Sequence, residues 1–107
     1  MPGRNEGQNF DVGYGIASVA VTSTGITIVA TTEANYHGVS MLASAAAVTV
    51  KVYNASSGTT NLVDVIFAAV TGTGWSDKYI PVVCKKGLTV SVTGTGGQGV
   101  IFYAPKG

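Results

Sequence analysis

The clearest structural signal in the chain is Val48-Thr49-Val50-Lys51-Val52-Tyr53. Its three valines alternate with the other three residues, and this period of two is typical of a β-strand that buries one face. The stretch that follows, residues 54–61, consists almost entirely of residues that favour turns. The segment therefore predicts a half-buried strand that ends in an exposed turn.

Similar strand patterns recur on both sides of this segment, separated by polar or glycine-rich turns. The predicted strands are 16–21, 26–30, 39–43, 48–53, 63–70, 79–84, 88–92 and 100–103. No run of ten or more residues has the 3.6-residue period of an amphipathic helix. The sequence therefore predicts an all-β fold, an antiparallel β-sandwich of about eight strands. A jelly-roll-like arrangement of two four-stranded sheets is preferred, and an immunoglobulin-like sandwich is the alternative.

The same pattern predicts details of pairing and burial. The first two predicted strands, joined by a short turn, are expected to form a hairpin. Residues 31–38 are expected to form a loop, and Pro81 predicts an edge strand or a bulge because proline cannot donate to a central ladder. The predicted core consists of Val50, Val52, Val65, Phe67, Leu88, Val90 and Val92.

The length of 107 residues predicts one domain, and the distribution of polar residues predicts an arm in front of it. Residues 1–13 are rich in glycine and asparagine, with Phe10 as their only aromatic anchor, and are expected to form an extended N-terminal arm. Residues 14–107 are expected to form the single β-sandwich domain.

Charged residues make up only 10% of the chain, and the net charge is +1. The largest basic cluster is Lys85-Lys86, so the basic surface expected for binding nucleic acid or an anionic membrane is missing. The chain also shows neither an apolar run of roughly 20 residues nor an apolar segment typical of a signal peptide. These features predict a protein made in the cytoplasm that binds neither nucleic acid nor membrane, and its few charges suit close packing in an assembly.

Residues capable of catalysis are sparse. His37 and Cys84 are the only histidine and the only cysteine, so no disulfide can form within the chain. A Cys84–His37 nucleophile pair is one option, but Cys84 lies in an apolar run and is expected to be a buried, unreactive thiol. The sequence has neither the ligand spacing of a metal site nor a phosphate-binding loop. It therefore predicts a protein that is not an enzyme and holds no cofactor or metal.

Asp64 and Asp77 are candidates for a pair of glycosidase acids. Isolated carboxylates of this kind occur in nearly every sequence, so neither residue by itself indicates catalysis. Asp64 is expected on the solvent face of its strand, and Asp77 is expected in a turn.

Aromatic residues offer another candidate site. A platform for a sugar could be formed by Tyr36, Tyr53, Trp75 and Tyr79. Packing in the core or in an interface is preferred, because Trp75 alone is large enough to anchor a small core. A carbohydrate-binding β-sandwich module that uses Trp75 and Tyr79 stays open as an alternative function.

Two segments carry a family resemblance. The first is the strand Val48–Asn54 with its Ser/Gly turn and the strand that leads into a tryptophan loop. The second is Lys86-Gly87-Leu88-Thr89-Val90-Ser91-Val92-Thr93-Gly94, followed by Val100-Ile101-Phe102-Tyr103. This pattern resembles small virion proteins of tailed bacteriophages, of the head decoration (cement) type. In those proteins a Gly-Leu-x-Val strand, a glycine-rich turn and a terminal Val/Tyr strand close a β-sandwich.

The resemblance implies a non-enzymatic protein that binds the outer surface of the phage head and stabilises it across the seams between capsid subunits. Its partners would be the major capsid protein and further copies of the chain, with a trimer favoured. The residues expected to contact partners are Phe10, Asp11, Tyr14, Tyr36 and His37. A tail, neck or fibre module of a virion is the alternative within the same class.

Overall fold

The computed structural model describes residues 17–21 and 24–105, with side chains described for residues 24–105. Within these residues the fold is all-β, and the prediction of an antiparallel β-sandwich is confirmed. The strands are β1 (Ala17–Val21), β2 (Gly25–Ala30), β3 (Ala34–Leu42), β4 (Val48–Tyr53), β5 (Leu62–Ala68), β6 (Thr73–Cys84), β7 (Leu88–Thr93) and β8 (Gln98–Pro105). The predicted arm, residues 1–13, lies outside the described residues.

The strands form two four-stranded antiparallel sheets. Sheet 1 has the order β1-β8-β3-β6, and sheet 2 has the order β2-β7-β4-β5. The first strand thus pairs with the last, the second with the seventh, and so inward to β4 and β5, as in a long hairpin that has been rolled up. This is the jelly-roll arrangement. An immunoglobulin-like sandwich would pair several consecutive strands, whereas among the described strands only β4 and β5 are consecutive and paired.

The predicted hairpin between the first two strands is wrong. β1 pairs with β8, with Ala17 opposite Tyr103, whereas β2 pairs with β7, with Gly25 opposite Val92. The consecutive strands β1 and β2 therefore belong to different sheets. Alternation identifies each strand, but the partner of a strand depends on which faces meet across the core.

The predicted loop at residues 31–38 is also wrong over much of its length. β3 begins at Ala34 and lies inside sheet 1, between β8 and β6. Its register with both neighbours shifts between Tyr36 and Gly38, which marks a β-bulge. Gly38 has a φ of +148°, and a Cβ atom there would collide with the carbonyl oxygen of Ser76. The bulge therefore requires glycine at this position.

β6 forms one edge of sheet 1 and is longer than the sequence predicts. It includes Asp77, so the expectation that Asp77 lies in a turn is wrong. Asp77 lies opposite Gly38 and Val82 lies opposite Tyr36, so residues 78–81 leave the ladder. Pro81 falls within this irregular segment, and the prediction of an edge strand or a bulge at this proline is confirmed.

The core lies between the two sheets and is built mainly from valine. Its buried residues are Ala34, Tyr36, Val39, Met41, Ala43, Val48, Val50, Val52, Ile66, Ala68, Cys84, Leu88, Val90, Val92 and Ile101. The core prediction is thereby confirmed for the named residues of β4 and β7. It is wrong for Val65 and Phe67, which are 47% and 61% exposed.

The inward face of β5 carries the other set of alternating residues. Ile66 lies opposite Val50 and Asp64 lies opposite Val52. Directly opposed residues of an antiparallel pair share one face of the sheet, so Asp64, Ile66 and Ala68 of β5 face the core. Val65 and Phe67 consequently face outward.

Adjacent residues of β7 provide a test of this register. Val90 is fully buried, and we expect Val90→Asp to prevent folding because it buries an unpaired carboxylate. Ser91→Asp places the same charge on the opposite face and is expected to cost less than about 1 kcal/mol of unfolding free energy. Circular dichroism and thermal melting of both variants are the measurements. A soluble, folded Val90→Asp protein would show that the register of β7 is wrong.

Candidate functional site

A groove crosses the outer face of sheet 1 over β8, β3 and β6. We call it the sheet-1 groove; it has a volume of about 330 Å³ and is lined by His37, Gly38, Val39, Ser40, Trp75, Ser76, Asp77 and Phe102. It brings together the only tryptophan and the only histidine of the chain. A more open depression of about 410 Å³ continues along the same face, past Ser40 toward Leu42 and Gln98.

The two walls of the sheet-1 groove are aromatic. Ser40 lies opposite Trp75 of β6, and Gly38 lies opposite Phe102 of β8. Trp75 and Phe102 therefore stand on the two strands that flank β3 and are offset by two residues along them. Their backbones are roughly 12 Å apart, because neighbouring strands are about 4.8 Å apart and successive residues rise about 3.4 Å. Trp75 is 70% exposed and Phe102 is 40% exposed. Both side chains thus offer apolar surface to a ligand.

The floor of the sheet-1 groove consists of residues with small side chains, and its margin is polar. Gly38 has no side chain, and Ser40 adds only a hydroxyl group. His37 at the β3 bulge and Asp77, opposite Gly38, add an imidazole and a carboxylate. Together these groups both donate and accept hydrogen bonds. The arrangement suits reversible binding of a ligand by stacking and hydrogen bonding.

A polar cluster lies beneath the groove, between the two sheets. The Tyr36 hydroxyl donates a hydrogen bond of 2.7 Å to Oδ2 of Asp64. The side chain of Ser76 also hydrogen-bonds Asp64, and Nζ of Lys78 lies 3.7 Å from its Oδ1. The backbone N–H of Val65 donates to the same oxygen over 2.9 Å. The expectation that Asp64 faces solvent is wrong, since its side chain is only 12% exposed.

The cluster fixes the charge states of Asp64 and Tyr36. Burial alone would raise the pKa of Asp64, but hydrogen bonds from Ser76 and Tyr36 and the charge of Lys78 outweigh burial and hold the pKa below its usual value. Burial, and then the hydrogen bond to Asp64, raises the pKa of Tyr36 well above its usual value. Asp64 therefore stays a carboxylate and Tyr36 stays a phenol across the ordinary pH range.

The cluster also positions the groove. Ser76 and Lys78 bind Asp64 from β6, while Trp75 and Asp77, which alternate with them, reach the outer face. Neighbouring residues of a strand point to opposite faces. The contacts inside the sandwich therefore hold β6 in the register that places a wall and a carboxylate on the groove.

Cys84 is buried, as the sequence predicts. Its thiol donates to the carbonyl oxygen of Val82 over 3.8 Å, and burial raises its pKa. A raised pKa keeps the thiol protonated, which removes nucleophilic character. Within the part of the chain that the structure describes, no group of three His, Cys, Asp or Glu residues could hold a metal ion.

The predicted partner-binding residues fall into three groups. Phe10, Asp11 and Tyr14 lie outside the described residues. Tyr36 is fully buried, so its side chain offers no surface to a partner and the prediction for this residue is wrong. His37 lies in the sheet-1 groove.

The sequence did not predict that Trp75, Asp77 and Phe102 lie together in the groove. Trp75 is exposed, so the expectation that it anchors the core is wrong. Tyr79 is 98% exposed but does not line the groove, so the predicted pairing of Trp75 with Tyr79 is not formed there. Asp77 and Phe102 meet Trp75 only because β6 and β8 both flank β3. The alternation of Trp75 and Asp77 along one strand was the available signal for a shared face.

A second exposed surface lies on the edges of sheet 2. Ile26 and Ile28 of β2 are 55% and 50% exposed; we call this pair the β2 edge. We use the name β5 edge for Leu62, Val65 and Phe67 on the opposite side of the sheet, all of them exposed. Between the two edges the outer face carries polar residues such as Ser91 and Lys51. Within sheet 2, exposed apolar side chains therefore lie at two separate sides of the sheet.

Comparison with protein-family models and with curated proteins found no match to this chain. Residues 17–21 and 24–105 contain no helix that is long and apolar enough to cross a membrane.

The polar cluster predicts a specific pH dependence. Because the folded-state pKa of Asp64 is lowered, its stabilising contribution is present above the unfolded-state pKa of about 3.9 and is lost as the pH falls through the folded value. Asp64→Asn is expected to lower the unfolding free energy at pH 7 by about 1–2 kcal/mol and to flatten its decline below about pH 4. Denaturant unfolding between neutral and acidic pH measures both effects.

Asp77→Asn is the matched control, since it removes an exposed carboxylate from β6, the strand that follows β5, and should leave this acid dependence unchanged. Equal acid dependence in the wild type and in Asp64→Asn would contradict the role given to the cluster.

Proposed function

We propose that the chain is a non-enzymatic structural protein of a tailed-bacteriophage virion, a decoration or cement protein that binds the outer surface of the head. It is made in the host cytoplasm, binds the major capsid protein and bridges the seams between capsid subunits. Added contacts across such seams stabilise a shell because they bind the assembled state and not its separated parts. The sequence resemblance to decoration proteins and the jelly-roll fold, which recurs among viral capsid domains, support this proposal.

One observation carries the proposal: exposed apolar side chains lie on both edges of sheet 2 in a chain with few charges. Exposed apolar side chains gain stability when a neighbouring subunit removes them from water. A surface with few charges adds little desolvation cost to such contacts. Close packing against protein neighbours is the role that both properties favour.

The positions of the two edges favour a ring of subunits. Ile26 is linked to Val65 through Ser91 and Lys51 across the full width of sheet 2. The β2 edge and the β5 edge are therefore different surfaces on opposite sides of one sheet. A contact between two different surfaces is head-to-tail, and repeated head-to-tail contacts close into rings when the rotation permits. A closed ring in which each β2 edge meets a neighbour's β5 edge fits this arrangement, and a trimer is the ring we propose.

Sedimentation velocity at micromolar concentration tests the trimer. We expect Ile26→Ser on the β2 edge and Phe67→Ser on the β5 edge each to weaken self-association at least tenfold, because each removes apolar contact area from the interface. An equal mixture of the two variants keeps one intact contact and is expected to yield a heterodimer. A chain that stays monomeric in the wild type, or single variants that still form the trimer, would contradict the proposal.

Tyr79→Ala is the control for these variants. It removes a fully exposed aromatic side chain from the irregular part of β6 and should leave the trimer unchanged. Ile26, Phe67 and Tyr79 all have exposed side chains, so each variant is expected to melt within a few degrees of the wild type.

The predicted N-terminal arm supplies a further contact. We expect deletion of residues 1–13 to weaken self-association and binding to DNA-free phage heads, since the arm is predicted to lie along a neighbouring subunit. The melting temperature of the remaining domain should change little, because the described core residues pack on one another across the two sheets. Sedimentation with purified heads and thermal melting measure the two properties. Loss of folding on deletion would show that the arm belongs to the domain.

A further inference from the structure

We propose that the sheet-1 groove is a saccharide-binding site that takes a neutral sugar unit of a glycan. This function goes beyond the structural role proposed above and does not depend on it, because the groove and the edges of sheet 2 belong to different sheets. The proposal rests on the shape of the groove, on the chemistry of its lining and on the cluster that supports it.

The walls match the apolar faces of a sugar ring. Trp75 and Phe102 flank a gap that is one strand wide, with β3 as its floor. The two side chains stand diagonally across β3, offset by two residues, and lean over the same floor, so one sugar ring placed between them contacts both. The C–H groups of a pyranose are apolar on the ring face and suit stacking on an aromatic surface.

The floor permits close approach. Gly38 has no side chain between the two walls, and a Cβ atom at this position would strike the backbone of Ser76. Ser40, the next floor residue, is exposed and has only a short hydroxyl side chain. Gly38 itself is buried, so a flat ligand reaches β3 at the exposed Ser40.

The polar lining matches hydroxyl groups. A sugar hydroxyl both donates and accepts hydrogen bonds, and it is met by the acceptor Asp77 together with His37 and Ser40, which can do both. The lining holds one carboxylate and neither lysine nor arginine, which disfavours acidic sugars and phosphorylated ligands. A neutral hexose is the ligand class that fits both features.

The neighbouring depression extends the site. It begins at Ser40, which it shares with the sheet-1 groove, and continues past Leu42, Gln98 and Val100. These residues supply apolar surface and one side-chain amide, the same two kinds of contact on a smaller scale. The surface therefore accommodates a second sugar unit, and we expect a disaccharide to bind more tightly than a monosaccharide.

The chain carries its own reporters for a test. Trp75 is the only tryptophan and His37 is the only histidine, so tryptophan fluorescence and the histidine ring signals in NMR spectra both report on the groove. The probes are glucose, galactose and N-acetylglucosamine with their β-linked disaccharides cellobiose, lactose and chitobiose, each titrated to about 50 mM. We expect a saturable change in both signals for at least one sugar, with the disaccharide of that sugar saturating at lower concentration.

Three groove variants and two control variants separate the groove from other surfaces. Trp75→Ala, measured by the His37 signals, is expected to abolish sugar binding. Phe102→Ala is expected to weaken the affinity for the sugar at least tenfold, and Asp77→Asn severalfold. Tyr79→Ala removes an exposed aromatic residue of the same strand outside the groove and should leave sugar binding unchanged. Phe67→Ser should also leave sugar binding unchanged, which distinguishes a failure of this site from a failure of the assembly edges.

Three outcomes would overturn the proposal. The first is the absence of a response to every sugar of the panel at the highest concentration. The second is an equal loss of sugar binding in Tyr79→Ala and Trp75→Ala. The third is a saturable response to choline alone, because two aromatic walls and a carboxylate would then be a site for a quaternary ammonium cation.

Discussion

The hydrogen bond from the Tyr36 hydroxyl to the Asp64 carboxylate joins sheet 1 to sheet 2, and the arrangement of the neighbouring strands depends on it. Asp64 lies opposite the buried Val52, where a carboxylate without partners would cost several kcal/mol. Tyr36, Ser76 and Lys78 supply the hydrogen bonds and the charge that make this position tolerable. Since these partners come from β3 and β6, the single carboxylate of β5 links three strands.

The position of Asp64 decides what the outer surfaces present. Once Asp64, Ile66 and Ala68 face the core, alternation places Val65 and Phe67 on the outside. An inward charge on an edge strand also discourages pairing with a further strand, so the β5 edge presents side chains rather than an open ladder. The exposure of Val65 and Phe67 on the β5 edge is therefore a consequence of the polar cluster inside the sandwich.

The same cluster shapes the opposite side of the molecule. Ser76 and Lys78 bind Asp64 from within, and the residues that alternate with them, Trp75 and Asp77, reach the sheet-1 groove. The two proposed surfaces thus share one support but face different directions. A subunit packed through the edges of sheet 2 keeps the outer face of sheet 1 free, so self-association and ligand binding are compatible in one assembly.

The sequence by itself determined the strands and part of the core. In β4 and β7 one set of alternating positions is valine and the other is largely polar, so Val50, Val52 and Val90 had only one possible face. β5 is different, because Val65 and Phe67 on one face compete with Ile66 and Ala68 on the other. Hydrophobicity favours the first set, whereas the structure buries the second, together with Asp64.

Tertiary structure decided the strand partners, the face of β5 and the make-up of the groove. The partner that makes an inward Asp64 acceptable is Tyr36, 28 residues away in the sequence. Likewise, Trp75 and Phe102 line the same groove only because β3 lies between their strands. Alternation is a property of one strand and can be recognised locally. Satisfying a buried carboxylate and forming a groove require residues that are brought together only when the two sheets have formed.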